Sequence, residues 1–133
     1  METQGSQKTR VNALAREAFF AGLEVHKELG PGLLEKAYER ALAHELRLRN
    51  LSVQTQVPIS LIYKGLDIEN AYFIDVLVEG TLVLEIKSVE MDHDNHKAQL
   101  LTYLRCGDFP LGLLMNFKSA LFKDGVARVA NGL

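Results

Sequence analysis

From Val11 onward the apolar residues recur at Val11, Leu14, Ala18, Ala21, Val25 and Leu29, a spacing of threes and fours that lines one face of a helix. This predicts a first helix over about 10–29. Gly30-Pro31-Gly32 ends it, because glycine suits a helix C-terminus and proline cannot continue the turn. A second helix is expected over about 33–50, with Leu34, Ala37, Tyr38, Ala41, Leu42 and Leu46 along its apolar line and Asn50 as its C-cap. The texture then changes to strand. Val53, Val57, Ile59, Leu61, Ile62 and Tyr63 suggest a strand broken near Lys64-Gly65, and Pro58 favours an edge position or a bulge. Two strands follow over about 71–78 and 82–88, joined at Glu79-Gly80. A third helix over about 94–106 stops at Gly107, and Leu111 to Phe117 reads as a buried strand. Phe122 to Val129 is either a last strand or an irregular end. Residues 1–9 are polar and are expected to form a flexible tail, with 10–133 as a single domain. The order of elements suits an α/β fold, one sheet covered by helices.

The hairpin around Gly80 can be read in two registers. A two-residue turn at Glu79-Gly80 sets Asp75 opposite Leu84; a three-residue loop, Glu79-Gly80-Thr81, sets Asp75 opposite Glu85. Ile74, Val76, Val78, Leu82, Leu84 and Ile86 all carry even numbers, and only the second register puts all six on one face. The three-residue loop is therefore expected, with Gly80 supplying the left-handed residue or bulge it needs. Asp75, Glu85 and Lys87 then share the other face, with Leu77 and Val83 beside them.

That pairing has chemical consequences. Directly opposed residues lie about 5 Å apart at Cβ, so two carboxylates can share one cation. Without a counter-charge they repel, and one tends to take up a proton. Mg²⁺ or Mn²⁺ removes the conflict through oxygen ligands, which makes Asp75 and Glu85 candidate metal ligands. Lys87, two residues beyond Glu85 on the same face, is placed to stabilise a phosphate oxygen or to help activate an attacking water. A lone E-x-K is usually a solvated pair. Here the strands are otherwise strongly apolar, and a covered sheet would bury these charges unless something uses them.

Composition narrows the classes. With 133 residues and 47% apolar residues, the chain can build a real core. Cys106 is the one cysteine, so no internal disulfide is expected, no Cys/His cluster suggests zinc, and a cytoplasmic setting is the natural reading. Met1 to Arg10 has no apolar stretch of the signal-peptide kind, and no apolar run approaches the roughly 20 residues of a membrane span. Cys106, Met91 and Met115 are assigned to packing or surface. The net charge of -2 lowers the expectation of a nucleic-acid binder without removing it.

Further polar signals lie on helices. His96, Gln99 and Tyr103 are spaced three and four apart and form one stripe on the third helix; the competing reading is an exposed polar face. Glu35 stands at the edge of the second helix's apolar face, where a first-turn glutamate is also favoured by the helix dipole.

These residues resemble a known family. Gly32-Leu33-Leu34-Glu35-Lys36-Ala37-Tyr38 resembles the G-x-x-E-x-x-Y signature of the GxxExxY proteins, within the PD-(D/E)XK nuclease superfamily. The resemblance covers about 11–129 and includes Leu29 to Gly32, Gln56-Val57-Pro58, Asp75, Glu85-Ile86-Lys87, His96 to Tyr103 and Asn116-Phe117. It implies a central mixed β-sheet flanked by helices, the restriction-endonuclease-like core. It implies Asp75 and Glu85 as ligands of Mg²⁺ or Mn²⁺, Lys87 as the catalytic lysine and Glu35 as an additional acidic residue. Gln99 and Tyr103 resemble the superfamily's Gln-containing helix motif, so with His96 and Tyr38 they are expected to support the site or contact substrate. In one departure, Phe73-Ile74 precedes Asp75 where relatives often carry arginine or another polar residue, which puts the backbone-phosphate contacts implied at this spot in doubt but not the carboxylates.

The leading expectation is a metal-dependent phosphodiesterase acting on nucleic acid, with DNA favoured as the substrate. Lys8, Arg10, Arg16, Lys36, Arg40, Lys97 and Arg105 are candidate phosphate contacts, although most such helix-surface charges serve no ligand. The alternative is a non-catalytic nucleic-acid- or protein-binding module that keeps the fold. A third reading is an accessory subunit completed by a homo-oligomer.

Overall fold

The computed structural model describes residues 3–90 and 93–133; Met91, assigned above to packing or surface, and Met1 and Glu2 of the expected tail lie outside them. Helix α1 spans Gln4–Leu29 and α2 spans Glu35–Leu48. Strands β1 (Val53–Tyr63), β2 (Leu66–Val78) and β3 (Leu82–Lys87) follow, then helix α3 (His93–Gly107) and strand β4 (Leu111–Asn116). A single 3₁₀ turn, Phe122–Gly125, leads into β5 (Val126–Ala130), so the chain does end in a short strand.

Helix α1 begins six residues earlier than the expected start at about residue 10. Residues 4–9, expected as tail, form its first turns, and the Thr3 hydroxyl caps them by accepting the Ser6 amide at 3.0 Å. At the other end the chain leaves the helix at Gly30, whose φ of 72° falls in the left-handed region. Helix α2 runs from Glu35 to Leu48 and is capped one residue earlier than expected. Arg49 is the C-cap and Asn50 (φ 65°) takes the left-handed position after it, while the Leu51 amide bonds back to the Leu46 carbonyl at 3.1 Å.

The five strands form one mixed sheet in the order β1-β2-β3-β4-β5. β3 and β4 pair in parallel through the α3 crossover, and the other pairs are antiparallel. This is the α/β architecture expected, a central mixed sheet flanked by helices. β1, with Pro58, is an edge strand, as the proline predicts. Helices α1 and α2 cover one face, where Val11, Ala18, Tyr38 and Leu42 pack on Val76, Leu84, Ile86 and Met115. Helix α3 covers the other through Leu100, Tyr103 and Leu104 on Ile74, Leu77, Val83 and Leu114. β4 is buried on both faces, and so is β3 up to Ile86, as a central parallel pair requires.

The β2–β3 hairpin adopts the three-residue loop. Val78 pairs with Leu82, Leu77 with Val83 and Val76 with Leu84, and both Glu79 (φ 52°) and Gly80 (φ 64°) supply the left-handed backbone. One expectation fails. Ile74 does not share a face with Val76; it packs under α3, whereas Val76 and Val78 pack under α1 and α2. The alternation changes phase at Asp75. On β1 the same break falls at Gln56, whose φ is 52°, and the β1–β2 ladder passes from Thr55↔Val76 to Val57↔Ile74 without pairing the two residues between.

Candidate functional site

The site grows out of that break. The β2–β3 ladder ends at Val76↔Leu84, and continuing its register sets Asp75 opposite Glu85. Side chains replace the backbone pairing there: Asp75 Oδ2 accepts the Ile86 amide at 2.9 Å, and Glu85 Oε1 accepts the Asp75 amide at 3.4 Å. The two carboxylates are thus held together where two strands begin to part. Lys87 closes β3, half-buried, and its carbonyl accepts the Phe117 amide at 2.9 Å. The carboxyl ends of β3 and β4 lie on the same side of the sheet, the usual place for chemistry in an open α/β fold.

Burial sets the electrostatics. Glu85 is only 5% exposed, and its carboxyl is pushed up to about 8, first by desolvation and then by the Asp75 charge, with Lys87 pulling the other way. Tyr103 reaches this site from α3. Its hydroxyl is pushed up to about 12 by burial, then by Glu85, Tyr72 and Asp75, and its ring lies 4.6 Å from that of Tyr72. It remains a hydroxyl, able to donate, at any ordinary pH.

The other expected residues divide. Glu35 opens α2, exposed, and its Oε1 accepts the Ser88 amide at 3.4 Å just past Lys87. It lines one cleft with Lys36, Glu39, Gln56, Asp75 and Ile86. Gln99 lies on an exposed part of α3, and His96 is half-buried with its Nδ1 enclosed and no hydrogen-bond partner among the described residues. Of the predicted stripe, only Tyr103 is coupled to the acidic pair.

Tyr38 is a core residue rather than a lining one. Its ring stacks on Phe117 at 4.5 Å and its hydroxyl donates to the Gly30 carbonyl and accepts the Leu33 amide, which holds the turn leading into Glu35. It supports the site at one remove.

Two lining residues were given no site role by the sequence reading, Glu39 and Gln56, the second of which entered it only within the Gln56-Val57-Pro58 stretch of the resemblance. Glu39, 6% exposed, pairs with Lys36 at 3.1 Å and accepts the Gln56 amide; Gln56 also donates to Asp75 Oδ1 at 3.2 Å. The i, i+4 spacing of Glu35 and Glu39 was the available signal. Asn116 is a third buried polar group; its amide clasps Val89 through the carbonyl at 2.8 Å and the N–H at 3.3 Å, fixing the chain beyond Lys87.

No group of three or more His, Cys, Asp or Glu side chains is arranged around a common metal position among the described residues. The pair alone still suits a hard cation. Mg²⁺ commonly takes one or two carboxylates and fills its remaining positions with water and phosphate oxygens. A glutamate driven toward its neutral form first by burial and then by a neighbouring aspartate is also the arrangement that a divalent charge relieves.

No helix among the described residues is long and apolar enough to cross a membrane. A search of curated proteins finds no match to the chain. A family model described as the PD-(D/E)XK nuclease superfamily matches residues 12–129, which takes in every site residue named above.

Proposed function

This chain belongs to the PD-(D/E)XK nuclease superfamily, and from that premise we propose that it is a metal-dependent phosphodiesterase acting on nucleic acid, with DNA as the substrate. The observation that carries the reading is the Asp75–Glu85 pair, held at the parting of β2 and β3 with Lys87 on the same strand as Glu85. Asp75 and Glu85 would hold Mg²⁺ or Mn²⁺. Bound there, the ion supplies Lewis acidity and a water of lowered pKa. Lys87 places an ammonium beside the reacting phosphate, where charge builds in the transition state. Tyr103 stands behind the pair as a neutral donor. Glu35, whose Oε1 accepts the Ser88 amide, lines the same cleft as Asp75 and would be the additional acidic residue of the site. Gln99, exposed on the same helix as Tyr103, is the substrate-side member of the motif. The stretch from Gly32 to Tyr38 supports placement among the GxxExxY proteins within the superfamily.

The test is cleavage of DNA and RNA, single- and double-stranded, with Mg²⁺, with Mn²⁺ and with EDTA. Cutting of DNA that requires either metal and stops with EDTA is expected. Cutting of RNA alone would move the substrate, and binding without cutting in any metal would favour the non-catalytic module.

A further inference from the structure

We infer that Gln56 and Glu39 are positioning residues for Asp75: the Gln56 amide bridges a buried glutamate on α2 to the aspartate on β2 and fixes the direction in which Asp75 presents its free lone pairs. The inference rests on the metal-site reading of Asp75 proposed above. Its basis is one nitrogen with two acceptors. Gln56 Nε2 donates one hydrogen to Glu39 Oε1 and the other to Asp75 Oδ1 at 3.2 Å. Both partners are carboxylate oxygens, so the amide is oriented by what it bonds.

Each end of the bridge is anchored. Glu39 is 6% exposed and its second oxygen is taken by Lys36 at 3.1 Å, so it cannot swing away without leaving a buried charge unpaired. Asp75 is held on its far side by the Ile86 amide at 2.9 Å. With one donor on each oxygen, the carboxylate of Asp75 has no freedom to rotate, yet each oxygen keeps a second lone pair for a ligand.

The backbone is built around the same contact. Gln56 has φ 52° on an edge strand, in the left-handed region that a non-glycine residue adopts only when its surroundings require it. It stands across from Asp75 where the β1–β2 ladder passes from Thr55↔Val76 to Val57↔Ile74 with the pair between them omitted, and both strands change face there. A regular strand at this point would turn the Gln56 and Asp75 side chains away from the cleft that they line with Glu39. The break in the alternation therefore serves the bridge.

Outer-shell partners of this kind typically change metal affinity about 10–100-fold. The experiment is Mn²⁺ binding by calorimetry and by loss of the free-ion electron paramagnetic signal, on the full chain and on variants with native-like thermal unfolding. Gln56→Met, which keeps the length and loses both donors, is expected to weaken Mn²⁺ about 10–100-fold. Glu39→Ala is expected to follow it, whereas Glu39→Gln, which retains an acceptor for Gln56, is expected to bind close to the native value. A loss caused only by disturbed packing would not be rescued by Glu39→Gln. Native affinity in Gln56→Met, with binding abolished in Asp75→Ala, overturns the inference and leaves the metal site standing. Native affinity in Asp75→Ala overturns the metal site and the inference together. Should Gln56→Met fail to fold, native affinity in Glu39→Ala, or no recovery in Glu39→Gln, is the overturning result.

Discussion

In the metal-free protein Glu85 keeps its proton until about pH 8, whereas its ordinary value is 4.5. Between those limits the unfolded chain has released a proton that the folded chain retains. Stability therefore falls as pH rises through this window and is highest below it, by on the order of a few kcal/mol in all. Urea midpoints should drop for the native chain between about pH 5 and pH 8, and Glu85→Gln should remove most of that slope. Equal slopes in the two proteins would show that Glu85 ionises freely. The hairpin register that sets Asp75 opposite Glu85 was legible at this scale because Val76, Val78, Leu82, Leu84 and Ile86 share one face. Glu39 and Gln56 were not. A glutamate on a helix and a glutamine on a strand look like surface residues until a neighbouring element is known to meet them. For Tyr38 the sequence left two roles open, since its place in a signature says that it matters, but not whether through the cleft or through the core, where it is buried.

Among the elements, the turn between α1 and α2 depends on one hydroxyl. Tyr38 bonds both the Gly30 carbonyl and the Leu33 amide while its ring stacks on Phe117. Tyr38→Phe keeps the stack and strips both bonds, so it should destabilise the fold by about 1–2 kcal/mol by thermal or urea unfolding. An unchanged midpoint would mean that solvent replaces the hydroxyl at no cost. Periodicity predicted the helices because their buried faces recur, as Val11, Ala18, Ala21 and Val25 do on α1. It missed the first turns of α1, where exposed polar residues carry no stripe and only the Thr3 cap marks the start. It also missed the phase change at Asp75. Ile74 and Val76 are both buried, and a period of two cannot reveal that a break in the alternation sends them to opposite faces.

At the scale of the whole molecule, the layers explain why the acids stand where they do. Two helices on one face and one on the other bury the central strands and exclude water from β3, so a glutamate there is raised toward neutrality unless a cation joins it. The order of elements was readable from the alternation of periods along the chain. The pairing of β3 with β4 in parallel and the end of the sheet at β5 needed the tertiary structure, since both depend on which buried strands meet. The measurement that tests the account most directly is metal-dependent cleavage of DNA by the native chain beside Asp75→Ala and Lys87→Ala, each checked for native unfolding. The account predicts cutting by the native chain, a fall of about 10²–10³-fold in Lys87→Ala and none above background in Asp75→Ala. Equal cutting by all three proteins, or none by the native chain with either metal, would contradict it.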